Sequence, residues 1–190
     1  MRIAPLLVLA LGLTGCRKLV RVERADSGRP PGARTPADSL AAVERDSAAT
    51  AEVRAALRTY YARFTSRDWL MFSQSFWRGA IITTNWTPPG EPAERVHPLT
   101  VDEFVRRTPE GPDQLAVFSE DMVDATIASY GPLAHAWVVY RARFGATRDS
   151  VETRYGVDAF HLMRHDGEWR ITSLTFTGEV PGRPLVVPRP

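Results

Sequence analysis

Two residue types are nearly missing from this 190-residue chain, which holds one cysteine, Cys16, and one lysine, Lys18. A lone thiol cannot close an internal disulfide, and no Cys/His group has zinc-ligand spacing, so neither a disulfide framework nor a bound metal is expected. No glycine-rich phosphate loop stands at a strand-to-helix junction and no nucleophile elbow is present, which leaves nucleotide binding and serine-type catalysis without support and no cofactor expected. Charge of one sign is also scarce. The 24 basic residues, nearly all arginine, face 22 carboxylates, for a formal net charge of +2. With no basic stripe interleaved with aromatics, nucleic acid is not an expected partner.

What the chain does have begins with an address. Met1-Arg2 leads into the apolar run Ile3 to Leu13, broken only by Pro5 and Gly12. The run is far shorter than the roughly 20 residues of a membrane-crossing helix and reads as a secretory signal. It ends in Leu13-Thr14-Gly15-Cys16, which resembles the lipobox of bacterial lipoproteins, whose cysteine is lipidated and becomes the new N-terminus. The expectation is a signal peptide over 1–15 and a lipid anchor on Cys16 that makes the membrane a partner in the cell envelope. Arg17 stands where an aspartate would retain such proteins in the inner membrane of enteric bacteria, which points to the outer membrane, facing the periplasm. Residues 16–48, rich in Arg, Asp, Ser, Pro and Gly, lack the apolar density to offset the entropy of ordering and read as a tether.

A globular pattern occupies 49–179, and the proline-rich stretch 180–190 reads as a tail. Val53, Leu57, Tyr60, Tyr61 and Phe64 recur at helical spacing. Asp68 is placed to cap a second helix carrying Trp69, Phe72 and Phe76, with Gly79 at its end. Ala80 to Trp86 is β-branched enough for a strand, and Thr100-x-x-Glu103 is a capping box before a short helix. Three long strands follow, over about 115–130, 133–146 and 150–164. Asp166-Gly167 between alternating runs then marks a hairpin whose second strand carries Trp169 and Ile171 on one face and Thr172, Leu174 and Phe176 on the other. In the second long strand the apolar set Ala136, Val138, Tyr140, Ala142 and Phe144 should face the helices. In the third, the more apolar set is Thr153, Tyr155, Val157, Ala159, His161 and Met163, and Asp158 falls on the opposite face.

Tyr60-Tyr61-Ala-Arg-Phe64 leading to Arg67-Asp68-Trp69, then Phe76-x-x-Gly79-Ala80, and late in the chain Arg164-His-Asp-Gly-Glu-Trp-Arg-Ile171, resemble the nuclear transport factor 2-like superfamily over about Val53 to Thr177. The resemblance implies an α+β fold, N-terminal helices packed on a strongly curved antiparallel sheet, the cystatin-like cone of SnoaL-like cyclases and ketosteroid isomerases. Laid on the isomerases, the oxyanion-hole tyrosine falls at Tyr60, the general base at Thr84, and the protonated second acid near Ala159 or His161. A threonine cannot take a proton α to a carbonyl near neutral pH, so steroid isomerisation is disfavoured. The cone implied by the resemblance would present Tyr60, Tyr61, Phe64, Trp77, Thr84, Trp86, Tyr140, His161, Leu174 and Phe176 to a ligand.

Two functional readings follow. One is a tethered, non-catalytic domain binding a small apolar ligand or a protein partner, dimerising through the outer sheet face around Trp137. The other is a SnoaL- or isomerase-like enzyme in which His161 and Tyr60 act on a carbonyl or aromatic, polyketide-like substrate. In this sequence His161 is either that acid–base group or a core histidine hydrogen-bonded to Tyr60 or Tyr61.

Overall fold

The computed structural model describes residues 47–180 other than 88, 89 and 91, together with 182–185 and 187. The signal segment, Cys16, nearly all of the tether, most of the proline-rich tail and part of the loop at 88–92 lie outside the described residues.

Helix α1 (Ser47–Thr65) buries Val53, Leu57, Tyr60, Tyr61 and Phe64, the stripe its apolar spacing predicts. It ends where Arg67 adopts a left-handed φ of 57°. Asp68 then caps α2 (Trp69–Ser73), its carboxylate accepting from the Met71 amide at 3.1 Å. Strand β1 (Phe76–Trp86) starts earlier than the pattern suggests. Gly79 does not end a helix; it sits inside the strand at φ 84°, within an irregularity between Phe76 and Ile81. A strand that the sequence reading missed, β2 (Arg95–Thr100), pairs antiparallel with β1 at the sheet edge, the position where Pro98 costs no interior ladder bond. The capping box before α3 (Val101–Arg107) forms as expected, Thr100 and Glu103 each satisfying the other's amide.

The remaining strands are β3 (Val117–Tyr130), β4 (Leu133–Gly145), β5 (Glu152–His165) and β6 (Glu168–Gly178). Together they give a six-stranded sheet in the order β2-β1-β6-β5-β4-β3, antiparallel except where β1 runs parallel to β6. The β5–β6 turn has positive φ at both Asp166 and Gly167, the two-residue hairpin signature.

Two bulges decide which side chains point inward. In β6, Leu162 pairs with Ile171 but His161 with Ser173, so Thr172 is an extra residue. The parity therefore resets, and Trp169, Ile171 and Leu174 are all buried where simple alternation puts them on opposite faces. In β3 the register slips between Met122 and Asp124. Glu120 and Met122 oppose Ala142 and Tyr140 of β4, while beyond the slip Ala125 and Ile127 oppose Val138 and Ala136.

The helix is stitched to the sheet at three levels. Near its start, Glu52 accepts from the Trp169 indole at 2.9 Å and pairs with Arg164 at 3.3 Å. Arg54 donates to the Ala125 carbonyl at 3.0 Å. At its end, the Thr65 hydroxyl donates to the Glu120 carbonyl at 2.9 Å and accepts from the Glu120 amide at 2.8 Å. These bonds fix the height of α1 along β3, and with it the position of Tyr61 relative to Glu120.

Gly156 lies opposite Tyr140, and a β-carbon there would overlap the Tyr140 phenol and crowd the Thr177 carbonyl. Gly156→Ala should therefore destabilise the fold by about 1–3 kcal/mol through overpacking, measured as a lowered urea midpoint at unchanged m-value.

Candidate functional site

Register places an acidic group where the sequence reading expected a histidine. Along β5 the residues opposite the inward set of β4 are Leu162, Phe160, Asp158 and Gly156, paired with Ala134, Ala136, Val138 and Tyr140. Phe160 and Leu162 are buried and Asp158 is only 2 % exposed. The set Tyr155, Val157, Ala159, His161 and Met163 therefore faces outward. Two bulky residues, Phe160 and Leu162, outweigh the longer run of small and amphipathic residues on the other face, and they carry Asp158 inward with them.

His161 is accordingly exposed on the outer sheet surface, its Nδ1 3.1 Å from the Ser173 hydroxyl and its ring centroid 4.9 Å from that of His135. It does not reach Tyr60 or Tyr61. Trp137 shares that outer face and is 52 % exposed. Trp77 also lies outside the cone, its indole donating to the Met163 carbonyl at 3.0 Å beneath the Arg170 guanidinium. The Trp86 side chain lies outside what the structure describes. Thr84 is half-buried, level with Phe176 in the parallel pairing, its hydroxyl donating to the Asn85 carbonyl at 3.2 Å. His97 is buried on β2.

The aromatic residues expected to line a cavity pack on one another instead. The Tyr60 ring lies 5.0–6.3 Å from those of Tyr61, Phe64, Phe72, Phe76 and Phe160. Phe64 continues the cluster to Trp69, Phe104 and Phe118, and Phe104 meets Phe176. Leu174 is fully buried within the same core. Edge-to-face contacts of this kind stabilise the interior beyond simple burial.

At the rim of this core stands a group of acids. The Tyr61 hydroxyl donates a short hydrogen bond to the Asp158 carboxyl. Burial pushes Asp158 from its ordinary 3.8 up to about 7, against the lowering effect of that hydrogen bond. Glu120, on β3 across from the end of α1, is also pushed up, first by burial and then by the charges of Asp158, Asp113 and Asp121. Burial raises Tyr60, Tyr61 and Tyr140 as well, with the neighbouring carboxylates adding to it. Among the described residues, no cation forms an ion pair with Asp158 or Glu120. An isolated buried carboxylate costs several kcal/mol, so these groups keep their protons to unusually high pH. The outcome is a neutral phenol that donates a hydrogen bond, beside two carboxyls whose hold on their protons is strengthened by desolvation.

Tyr61 and Glu120 border a cleft of about 360 Å³ between α1 and β3, whose walls also include Arg54, Arg58, Thr65 and Asp121. Asp158 is not one of its walls; it is buried and linked to the cleft through its hydrogen bond with Tyr61. Asp121 is half-exposed and pairs with Arg141 at 3.2 Å. A further acid, Asp113, is buried in the 3-10 turn Pro112–Gln114 and raised to about 6 by desolvation. The Arg67 side chain holds the carbonyls of Asp113 and Leu115 and stacks over Phe118 at 5.6 Å, tying the turn to the end of α1.

No protein-family profile matches the sequence, and no curated protein does. Solved structures do match. A Nostoc punctiforme protein of unknown function with a cystatin-like fold shares 11% identity over 74% of this chain and 97% of its own, with a TM-score of 0.56. A nuclear transport factor 2-like protein of unknown function from Pseudomonas putida gives 11%, 75%, 97% and 0.54. A candidate scytalone dehydratase from Novosphingobium aromaticivorans gives 11%, 73%, 89% and 0.56. At such identities the likeness establishes fold alone. The chain has the cystatin-like, nuclear transport factor 2-like fold, an α+β cone with its helices ahead of and against the sheet.

Asp158 holds its proton in the folded chain between about pH 4 and 7, where an ordinary aspartate in the unfolded chain has lost it. Its contribution to stability therefore falls as pH rises through that window, by at most about 1.4 kcal/mol per pH unit. Asp158→Asn should flatten the dependence of urea stability on pH between 4 and 7. A slope unchanged by the substitution would place the excess proton elsewhere. His161→Ala, on the exposed face, should change stability by no more than about 0.5–1 kcal/mol in the same assay.

Proposed function

We propose that this is a ligand-binding cone domain held at the bacterial envelope by a lipid on Cys16, and that its ligand presents a hydroxyl or carbonyl oxygen to Tyr61 and Glu120, with Asp158 backing the Tyr61 hydroxyl. The observation that carries the reading is the burial of a hydrogen-bonded tyrosine–carboxyl pair beside a second carboxyl, neither carboxyl ion-paired among the described residues. Such an arrangement opposes folding, and a site that must grip an oxygen out of water supplies the reason to keep it. The polar cleft and the self-packed aromatic interior favour a small oxygenated molecule over a purely apolar one. The tether follows from the lipobox-like Leu13-Thr14-Gly15-Cys16. Among the described residues no helix is long and apolar enough to cross a membrane.

A second reading has its own support. Asp158 is pushed to about 7, the range in which a carboxyl is an effective proton donor or acceptor at neutral pH. In that reading the domain is an enzyme of proton transfer on a carbonyl or hydroxylated substrate. Its groups are Tyr61, Asp158 and Glu120, in place of the His161 and Tyr60 expected from the sequence. Dimerisation through the outer face around the exposed Trp137 remains part of the proposal.

Native mass spectrometry of the full-length protein purified from its own host's envelope should show a copurifying small molecule. The same preparation of Tyr61→Phe or Asp158→Asn, with melting curves showing the variants folded, should lose it. Retention of the molecule by both folded variants would contradict the assigned site.

A further inference from the structure

The charge on the cleft walls narrows the ligand further. Arg54, Arg58, Tyr61 and Thr65 follow one another along α1 and all border the same cleft. At 1.5 Å of rise per residue, Arg58 stands about 4.5 Å and Arg54 about 10 Å along the helix axis from Tyr61. Arg54 uses one guanidinium nitrogen on the Ala125 carbonyl at 3.0 Å, and its planar fork has further donors. Arg58 is exposed and makes no hydrogen bond or ion pair among the described residues. The facing strand does not neutralise the two arginines. Asp121 is engaged by Arg141, and desolvation raises the pKa of Glu120, favouring its uncharged form. One end of the cleft is therefore cationic and the other carries the Tyr61 phenol and the Glu120 carboxyl, separated by roughly the width of an aromatic ring. Its volume of about 360 Å³ equals that of about a dozen waters.

We propose that the cleft takes a small organic acid bearing a second, uncharged oxygen, with the carboxylate held by Arg58 and Arg54 and its hydroxyl or carbonyl against Tyr61 and Glu120, Asp158 holding the Tyr61 hydroxyl from behind. This rests on the oxygen-binding reading above and adds the anionic half of the ligand. Arginine forks match a carboxylate in two parallel hydrogen bonds, and the phenol and carboxyl recognise the other oxygen without needing a charge on it. A neutral phenol or ketone would use only half of the site, and a simple acid only the other half.

The test is calorimetric or NMR titration of the full-length protein with 4-hydroxybenzoate, and with phenol and benzoate as the two half-probes. The full probe should bind more tightly than either half. Arg58→Gln, a substitution at an exposed residue without a structural partner, should weaken 4-hydroxybenzoate roughly tenfold while leaving phenol unchanged. Tyr61→Phe should weaken phenol and 4-hydroxybenzoate alike. If phenol binds and is lost in Tyr61→Phe, but 4-hydroxybenzoate is no tighter and ignores Arg58→Gln, the organic-acid proposal is overturned and the oxygen site stands. If benzoate matches 4-hydroxybenzoate and Tyr61→Phe changes nothing, or if no probe binds, both fall.

Discussion

The hydrogen bond from Tyr61 to Asp158 is the contact on which the candidate site depends. It joins residues 97 positions apart, bridges the first helix to the fifth strand, and does so out of water. A carboxyl in that position must be hydrogen-bonded, neutral, or both, and Asp158, raised to about 7, is both on the acid side of neutrality. Glu120 then completes a group in which each acid discourages ionisation of the next. The cleft, the arginines on its rim and the proton inventory of the domain take their meaning from this one desolvated contact.

Its geometry depends on small irregularities in the sheet. The bulge at Val123 lets β3 present Glu120 and Met122 inward at one end and Ala125 and Ile127 inward at the other. The extra residue at Thr172 does the same for Ile171 and Leu174 in β6. Gly156 leaves room for the Tyr140 ring beside the acids. The Thr65–Glu120 pair of hydrogen bonds sets the height of α1. A regular sheet of the same strands would bury fewer apolar side chains and would not bring two carboxyls to one tyrosine.

Much of the architecture was legible because it rests on local signals. The stripe from Val53 to Phe64, the Asp68 cap, the Thr100–Glu103 capping box, the inward face of β4 and the Asp166-Gly167 turn each declare themselves within a few residues. The site was less legible. A period-two pattern has two faces, and in β5 both contain apolar residues. Counting favoured the face with His161, whereas side-chain volume, through Phe160 and Leu162, favours the face with Asp158. Bulges shift parity by one residue and leave no mark in composition beyond glycine, so the reading of β6 could not place Ile171 and Leu174 together. The superfamily resemblance placed the second acid near Ala159 or His161 and the tyrosine at Tyr60, one to three positions from the hydrogen-bonded Asp158 and Tyr61. Register inferred without a partner strand leaves an uncertainty of that size.

Carboxyl-carbon NMR of the full chain, titrated from pH 3 to 9, tests the central claim most directly. The account predicts that the Asp158 resonance titrates near 7. It also predicts that Tyr61→Phe moves the transition to still higher pH, because the lost hydrogen bond favours the ionised form. An Asp158 resonance that titrates near 4, unmoved by Tyr61→Phe, would mean that the carboxyl is solvated, and the desolvated acid site would not exist.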